Sequence, residues 1–472
     1  MRDDVLRSRF SRRTDRRTML KGAGATLTLA AATPFFQTGA GAATLVQTPT
    51  TMDIAGTNLS ILLWSHFVPL HDVWFDQFVV EWGEANGVTT QVDHVNTADV
   101  PAAIAAEIAA GEGHDLVEHI ASLAQYEKSV LDMTDVVEEL NNRHGEQLPM
   151  AMRNSFNPTT GVFYGLCHGY APDPGNYRRS LWEQVDQPDG PASWDDLLAG
   201  GALIKADQGI QMGLGMSNEI DSRMAAQTLM WAYGAAIQDA DENVTVNSPE
   251  TIASVEYMTE LYKTAMTPEV FGWNAASNNQ LLVAGRASYI LNSISAYRTA
   301  QKDQPETAAD VFFRTPIVGP AGEEAAVAHG HAVFISMIPN HAQYPDTAKE
   351  FIFHLVGNYN AACEQSEMYN FPAWPSTVPE LSEWLANDPY GSEPADKLSL
   401  LETAGDWTTN LGHPGPANAA MGEIFALPTL PNMMSRAATG QQTAEESVAE
   451  AESEINAIFE KWRAEGLMGG GS

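Results

Sequence analysis

Basic residues are scarce in this 472-residue chain: 25 Lys and Arg stand against 60 Asp and Glu, for a formal net charge of −35 at pH 7. A field of that sign repels phosphate backbones and anionic headgroups, which excludes nucleic acid and acidic membrane surfaces as partners. Cysteine is nearly absent, with Cys167 and Cys363 alone. Neither follows the early apolar run, so no lipid-anchor cysteine is offered. A disulfide between them is left open, since an oxidising compartment would permit one. Past the first forty residues nothing is long and apolar enough to cross a bilayer, which takes ~20 residues. A Gly-rich phosphate loop, a nucleophile elbow and a His-Glu-x-x-His motif are also missing. His329 and His331 are spaced to share one strand face, as zinc ligands can be, but no third ligand lies near them in sequence. No metal or other cofactor is expected.

What is present begins at the N-terminus. Arg16-Arg17-Thr18-Met19-Leu20-Lys21 precedes a mild Ala/Thr/Gly-rich run, Gly22 to Phe36, and the small residues Ala40-Gly41-Ala42-Ala43. A basic head, short apolar middle and small-residue exit predict an export signal, removed near Ala42/Ala43. The six-residue pattern resembles the twin-arginine signal, which implies folding before export and a periplasmic location. Beyond residue 43 remain 17 of the basic and 57 of the acidic residues, and seven lysines. So acidic a surface fits a saline habitat or ordinary solubility equally well.

Along the chain, Leu59 to Trp64 reads as a buried strand, and Trp74, Phe75, Phe78, Val79 and Trp82 fall at helical spacing up to Gly87. Val88 to Val95 alternates as a second strand, Pro101 to Ala110 is an alanine-rich helix, and Asp115 to Ile120 is a third strand. Strand and helix in alternation predict α/β layering. Ser193 and Ser248 (or Asn247) cap further helices, the second with Pro249 at its first position. Val283 to Leu291 reads as a helix end, a glycine stop and a strand; His331 to Met337 as a strand; Asp346 to Leu355 as a helix. Thr443 and Glu446 form a capping box for a last helix, whose face is Val448, Ile455, Phe459 and Trp462.

The order of these pieces resembles the family 1 extracellular solute-binding proteins of ABC importers, the group of maltose-binding proteins. Gly113-His114-Asp115-Leu116-Val117 is similar to the family's Gly-x-Pro-Asp-Val strand, with His114 in the proline's place. Ser193-Trp194-Asp195-Asp196-Leu197 is similar to its Thr-Trp-Asp-Glu-Leu helix start, and Ala284-Gly285-Arg286-Ala287-Ser288 to its Gly-Lys-Ala-Ala-Met turn. The likeness extends over roughly residues 58–463. It implies an α/β fold of two lobes joined by three crossing segments, the type II periplasmic-binding-protein fold. On that frame residues 1–43 are the signal and 44–56 a flexible leader. Residues 57–168 plus 330–358 form lobe 1, 169–329 plus 359–464 form lobe 2, and 465–472 are a disordered tail. The implied crossings fall near Gly165–Pro172, near His329–Ser336 and past Leu355.

A sugar offers hydroxyl edges to carboxylates and amides and apolar faces to aromatic rings, in a cleft with few well-placed polar groups. Candidates are the residues of loops after strand ends. Trp64, Ser65 and His66 follow the first strand; Glu118 and His119 end the third; Tyr170 and Asp173 adjoin the first crossing. Asn218, Glu219 and Asp221 follow the Gly-rich stretch Met212–Met216, ahead of a helix read at Ala225–Tyr233. Trp273, with Asn278 and Asn279, lies in a polar loop. Asn292 and Ser293 match the family's Asn-Gly-Pro-Trp loop with the aromatic displaced to Tyr297. Trp374 and Trp407 come from late loops. Core packing is the competing assignment for Trp64, Tyr170, Trp374 and Trp407, and helix capping for Asp221.

The expected function is capture of a small solute, with a sugar or oligosaccharide favoured by eleven tryptophans and acid and amide loops. A monomer would deliver it to an inner-membrane ABC permease. A cationic solute such as a polyamine is the alternative, since an aromatic cage with carboxylates suits ammonium groups. An exported glycoside hydrolase is disfavoured: its two carboxylates must face each other ~5–9.5 Å apart across a bond, which Glu219 and Asp221, two apart on one loop, seldom can.

Overall fold

The computed structural model describes residues 50–470. The export signal read at residues 1–43 lies outside them.

The described strands are β1 (Asn58–Trp64), β2 (Thr89–Val95), β3 (Leu116–His119), β4 (Phe156–Asn157), β5 (Val162–Phe163), β6 (Leu166–Pro172), β7 (Gly175–Arg178), β8 (Gln211–Gly213), β9 (Ala287–Leu291), β10 (Val311–Arg314), β11 (Ala328–Met337), β12 (Phe371–Pro372) and β13 (Thr408–Thr409). Sheet one has the order β12-β6-β11-β3-β1-β2, with β13 beside β11. Its first three strands are parallel, as βαβ crossovers require, and β11 runs antiparallel between β3 and β6. Sheet two has the order β10-β7-β9-β8. Strands β4 and β5 form a separate hairpin.

The first unit follows directly from its residues. The helix Pro69–Asn86 buries Phe75, Phe78, Val79 and Trp82, and ends where Gly87 takes a left-handed φ of 69°. Asp115 then ties three segments together. Its Oδ2 accepts from Ser60 Oγ (2.7 Å) on β1, and its Oδ1 from the N–H groups of Gln343 and Tyr344 (2.8 and 3.0 Å) ahead of the helix Pro345–Gly357. His114, in the place of a proline, bridges Glu107 (2.7 Å) and Asp93 (3.0 Å).

The chain leaves sheet one at Pro172 and enters sheet two at Gly175, so Asp173 and Pro174 alone link the two strands. It returns between Arg314 and Ala328. Helices Trp194–Gln208, Ile220–Ala232 and Pro249–Ala265 cover sheet two, together with the late helices Ala419–Ala426, Thr429–Ala438 and Ala444–Ala464. Thr443 and Glu446 make both bonds of the capping box.

Three expectations need correction. Residues 359–378, assigned above to the second half, pack on sheet one. There β12 pairs with β6, Tyr359 lies against Gly169, and Trp374 is fully buried with its indole N–H donated to Asn141 (2.9 Å). The leader is docked from Thr51 onward: Glu350 Oε1 accepts from the N–H groups of Thr51 and Met52 (2.7 and 2.9 Å), and Ile54 is buried. Residues 465–470 are not a free tail, since Leu467 and Met468 are buried. Cys167 and Cys363 are both buried, free thiols.

Candidate functional site

The seam between the sheets gathers polar side chains from both. Asp173, on the two-residue link, places Oδ1 3.2 Å from His331 Nδ1 on β11; both are almost fully buried. Burial alone would lower the His331 pKa, but the bond to Asp173 and the charges of Asp221, Asp173 and Glu219 raise it above its ordinary value. Asp221, in the first turn of Ile220–Ala232, accepts at Oδ2 from Asn278 (2.7 Å) and Asn292 (3.3 Å). Asn292 Nδ2 also donates to Asn278 Oδ1 (3.2 Å) and Asn279 Oδ1 (2.5 Å). Burial, and after it the Glu219 charge, pushes the Asp221 carboxyl well above its usual range.

Two aromatic rings stand beside His331. Phe67 stands 6.4 Å from the His331 ring and 6.3 Å from Tyr369, centroid to centroid. Tyr369 follows Glu367 and Met368, which hold left-handed φ of 55° and 62°. Such strain is kept only where the surroundings over-determine it. Here the turn aims Tyr369 toward Ser293 and the two aspartates, and Asn370 at His66 and His71. Phe67, Asn279 and Ser295 also line a groove of about 510 Å³, open to solvent, with Val283, Thr299 and Asp303. Asn279 thus belongs to both groove and network. Trp273 is half-buried and packs against both cores, its carbonyl accepting from Ser217 Oγ (2.8 Å).

Of the residues expected at a site, Asp173, Asp221, Asn278, Asn279, Asn292 and Ser293 meet at the seam, and Trp273 packs between the two cores. Others do not join them. Trp64, His66 and Glu118 line an interior void under sheet one with room for about one water, about 10 Å³. Trp64 Nε1 donates to Glu118 Oε1 (3.1 Å), and His168 Nε2 lies 2.7 Å from Glu118 Oε2. Burial would raise the Glu118 pKa, but His168 and Trp64 hold it below its ordinary value. His66 accepts from the Val68 N–H (2.9 Å) and donates to Asn370 Oδ1 (2.9 Å); burial pushes it down to about 4, so the ring is neutral. Ser65 is exposed, its N–H bonded to Val95 O (2.7 Å). His119 is buried and folds back on Ala121.

On the sheet-two side, Glu219 is the N-cap of Ile220–Ala232, a helix that starts five residues earlier than expected. Its oxygens accept from the N–H groups of Asp221 (2.7 Å) and Ser222 (2.5 Å), so capping falls to Glu219 rather than Asp221. Asn218 is exposed and accepts from Arg223. Tyr297 turns away from the seam to bond Ser392 (2.8 Å), edge-on to Phe313. Tyr170 is buried edge-on to Phe371, and Trp374 and Trp407 are core residues. Among the described residues no His, Cys, Asp and Glu group of three could hold a metal. His329 is wedged against Trp231 (4.7 Å), and burial lowers its pKa to about 3. Phe67 and Tyr369 escaped the sequence reading; the only local signal for Phe67 is its place in the loop after the first strand.

The model of the bacterial extracellular solute-binding protein family matches residues 77–390, well over half of the chain. The chain therefore belongs to that family, whose members bind solutes and are not enzymes. A binding protein of Brucella abortus is 23% identical over 209 residues, 44% of this chain and 50% of its own length. An ABC transporter-binding protein of Deinococcus radiodurans is 21% identical over 188 residues, 38% of this chain and 44% of its own. The chain spans about half the length of these relatives. Among solved structures, maltose-bound MalE3 of T. maritima superposes with a TM-score of 0.71 at 15% identity, over 85% of this chain and 100% of its own. An Arthrobacter chlorophenolicus sugar transporter with bound laminaribiose gives 0.71 at 16%, over 85% and 99%. At such identities the likeness establishes the two-lobed α/β fold. No described helix is long and apolar enough to cross a membrane.

Proposed function

We propose that the chain is the solute-capturing component of an ABC importer and that it closes on an uncharged, hydroxyl-rich solute, a sugar or oligosaccharide. The observation that carries this is the Asp221–Asn278–Asn292 network, with Tyr369 near its aspartate and Asn279 carrying it into the open groove that Phe67 lines. Amides and a carboxyl suited to hydroxyl edges, with aromatic faces beside them, match a sugar's two surfaces. Much of the charge is engaged within the protein: Asp173 by His331 and Glu219 by the N–H groups of its own helix. The maltose and laminaribiose held by the two structural relatives support the same class.

Groups from both halves meet only when the halves close, so solute shifts the population toward the closed form. If that form were about 1% populated without solute, apparent affinity would fall ~100-fold. The name of the Deinococcus relative supports an ABC permease as partner. Export by a twin-arginine signal, a periplasmic location and a monomeric state complete the proposal. A cationic solute is the second reading, favoured by the crowding of Glu219 against Asp221, which a cation would relieve.

Titration calorimetry with glucose, maltose, maltotriose, putrescine and spermidine, at low and high salt, separates the two. Sugar binding insensitive to salt supports the first. Polyamine binding that weakens steeply with salt, without sugar binding, replaces it by the second.

A further inference from the structure

The segment following the helix Ala444–Ala464 is bound to both halves. On the sheet-one side, Lys128 Nζ donates to Glu465 O and Oε2, 2.8 Å each. Asn157 Nδ2, at the end of β4, donates to Leu467 O (2.9 Å) and Glu127 Oε2 (2.6 Å). On the sheet-two side, Arg463 Nη2 donates to Glu242 O (2.7 Å). The Glu242 carboxylate then joins the two. Its Oε2 accepts from Gly469 N (2.5 Å) and from Thr159 Oγ1 (3.1 Å), and its Oε1 from Asn418 Nδ2 (2.8 Å). Glu242 is 5% exposed and held at a φ of +65°, sparsely populated for a glutamate. Two consecutive side chains also part company: Leu467 enters the core of sheet one and Met468 the core of sheet two.

We propose that residues 465–470 are a strap that limits how far the halves separate and so sets the balance between open and closed forms. The proposal rests on the hinged reading above. Wide opening would pull Leu467 or Met468 out of a core, or strip donors from a buried carboxylate, and each is unfavourable. The halves therefore swing about the strap while it holds, and part further only when it lets go.

The test uses the full chain without solute. Cysteines introduced at the exposed positions Gln77 and Lys263, one on each half, carry nitroxide labels, and electron–electron resonance reads the distance between them. Leu467→Ala loosens the strap from within; the double change Asn157→Ala with Thr159→Val removes one buried and one exposed donor and keeps the test open if the first variant misfolds. The expected result is a long-distance population about tenfold larger than in the parent. Folded variants whose distance distributions match the parent's would overturn the strap. Calorimetric failure to bind any sugar or polyamine would instead count against the solute-binding reading, so the two failures are told apart.

Discussion

Asp173 Oδ1 and His331 Nδ1 lie 3.2 Å apart, both buried, where the chain passes between its sheets. The ring's pKa is raised in the folded protein, so the pair's contribution to stability is complete below the unfolded value of about 6.5 and is lost as pH rises through the folded value. Urea unfolding from pH 5.5 to 9 should show the parent losing stability relative to His331→Gln across that window. A difference independent of pH would contradict the assignment.

Asp221 poses the opposite problem, a carboxyl that folding holds above its usual pKa, chiefly by burial and then by Glu219. Its ionisation opposes folding once the pH exceeds about 3.8, and increasingly so up to the folded value. Asp221→Asn should therefore stabilise the protein at pH 7 by on the order of 1 kcal/mol, while weakening solute binding at least tenfold, a familiar exchange at functional sites. Thermal melts and calorimetry on the same preparation measure both.

Arg298 and Asp388 form a bidentate pair with side chains 2% and 0% exposed, at 2.7 and 3.0 Å. Arg298→Met would leave the carboxylate buried without its cation, at a cost of about 3–5 kcal/mol. Chemical denaturation should show the loss; a change under 1 kcal/mol would mean that water reaches Asp388.

Glu219 and Phe67 should behave in opposite ways. Glu219→Ala removes an N-cap and should reduce stability by about 1–2 kcal/mol. Phe67→Ala touches a half-buried ring at the groove and should weaken sugar binding with little effect on unfolding. If Phe67→Ala leaves affinity intact, the groove is not part of the site.

The early strands and helices were legible because their signals are local. Phe75, Phe78 and Val79 repeat at helical spacing, Gly87 stops the helix, and Thr443 with Glu446 makes a self-contained cap. The site was legible only in part. Of the candidates, Asp173, Asp221, Asn278, Asn279, Asn292 and Ser293 lie together at the seam, where loops after strands face the opposite half. Trp64 and Glu118 also lie at strand ends, but they turn to the helix-covered face of sheet one, where an indole N–H and a histidine satisfy the carboxylate. Spacing locates a strand end without saying which face is wet. Tyr369 was missed because its position depends on two residues with left-handed backbone, which no pattern of Glu and Met announces.

The link Asp173-Pro174 has a mechanical corollary. Proline's ring fixes one dihedral, and the aspartate's side chain is anchored to β11. So short a connector has little slack to let the halves slide past one another, and favours pivoting. A guest would then be gripped as by tweezers rather than by parallel jaws, and the depth at which it lodges would fix how far the tips must travel.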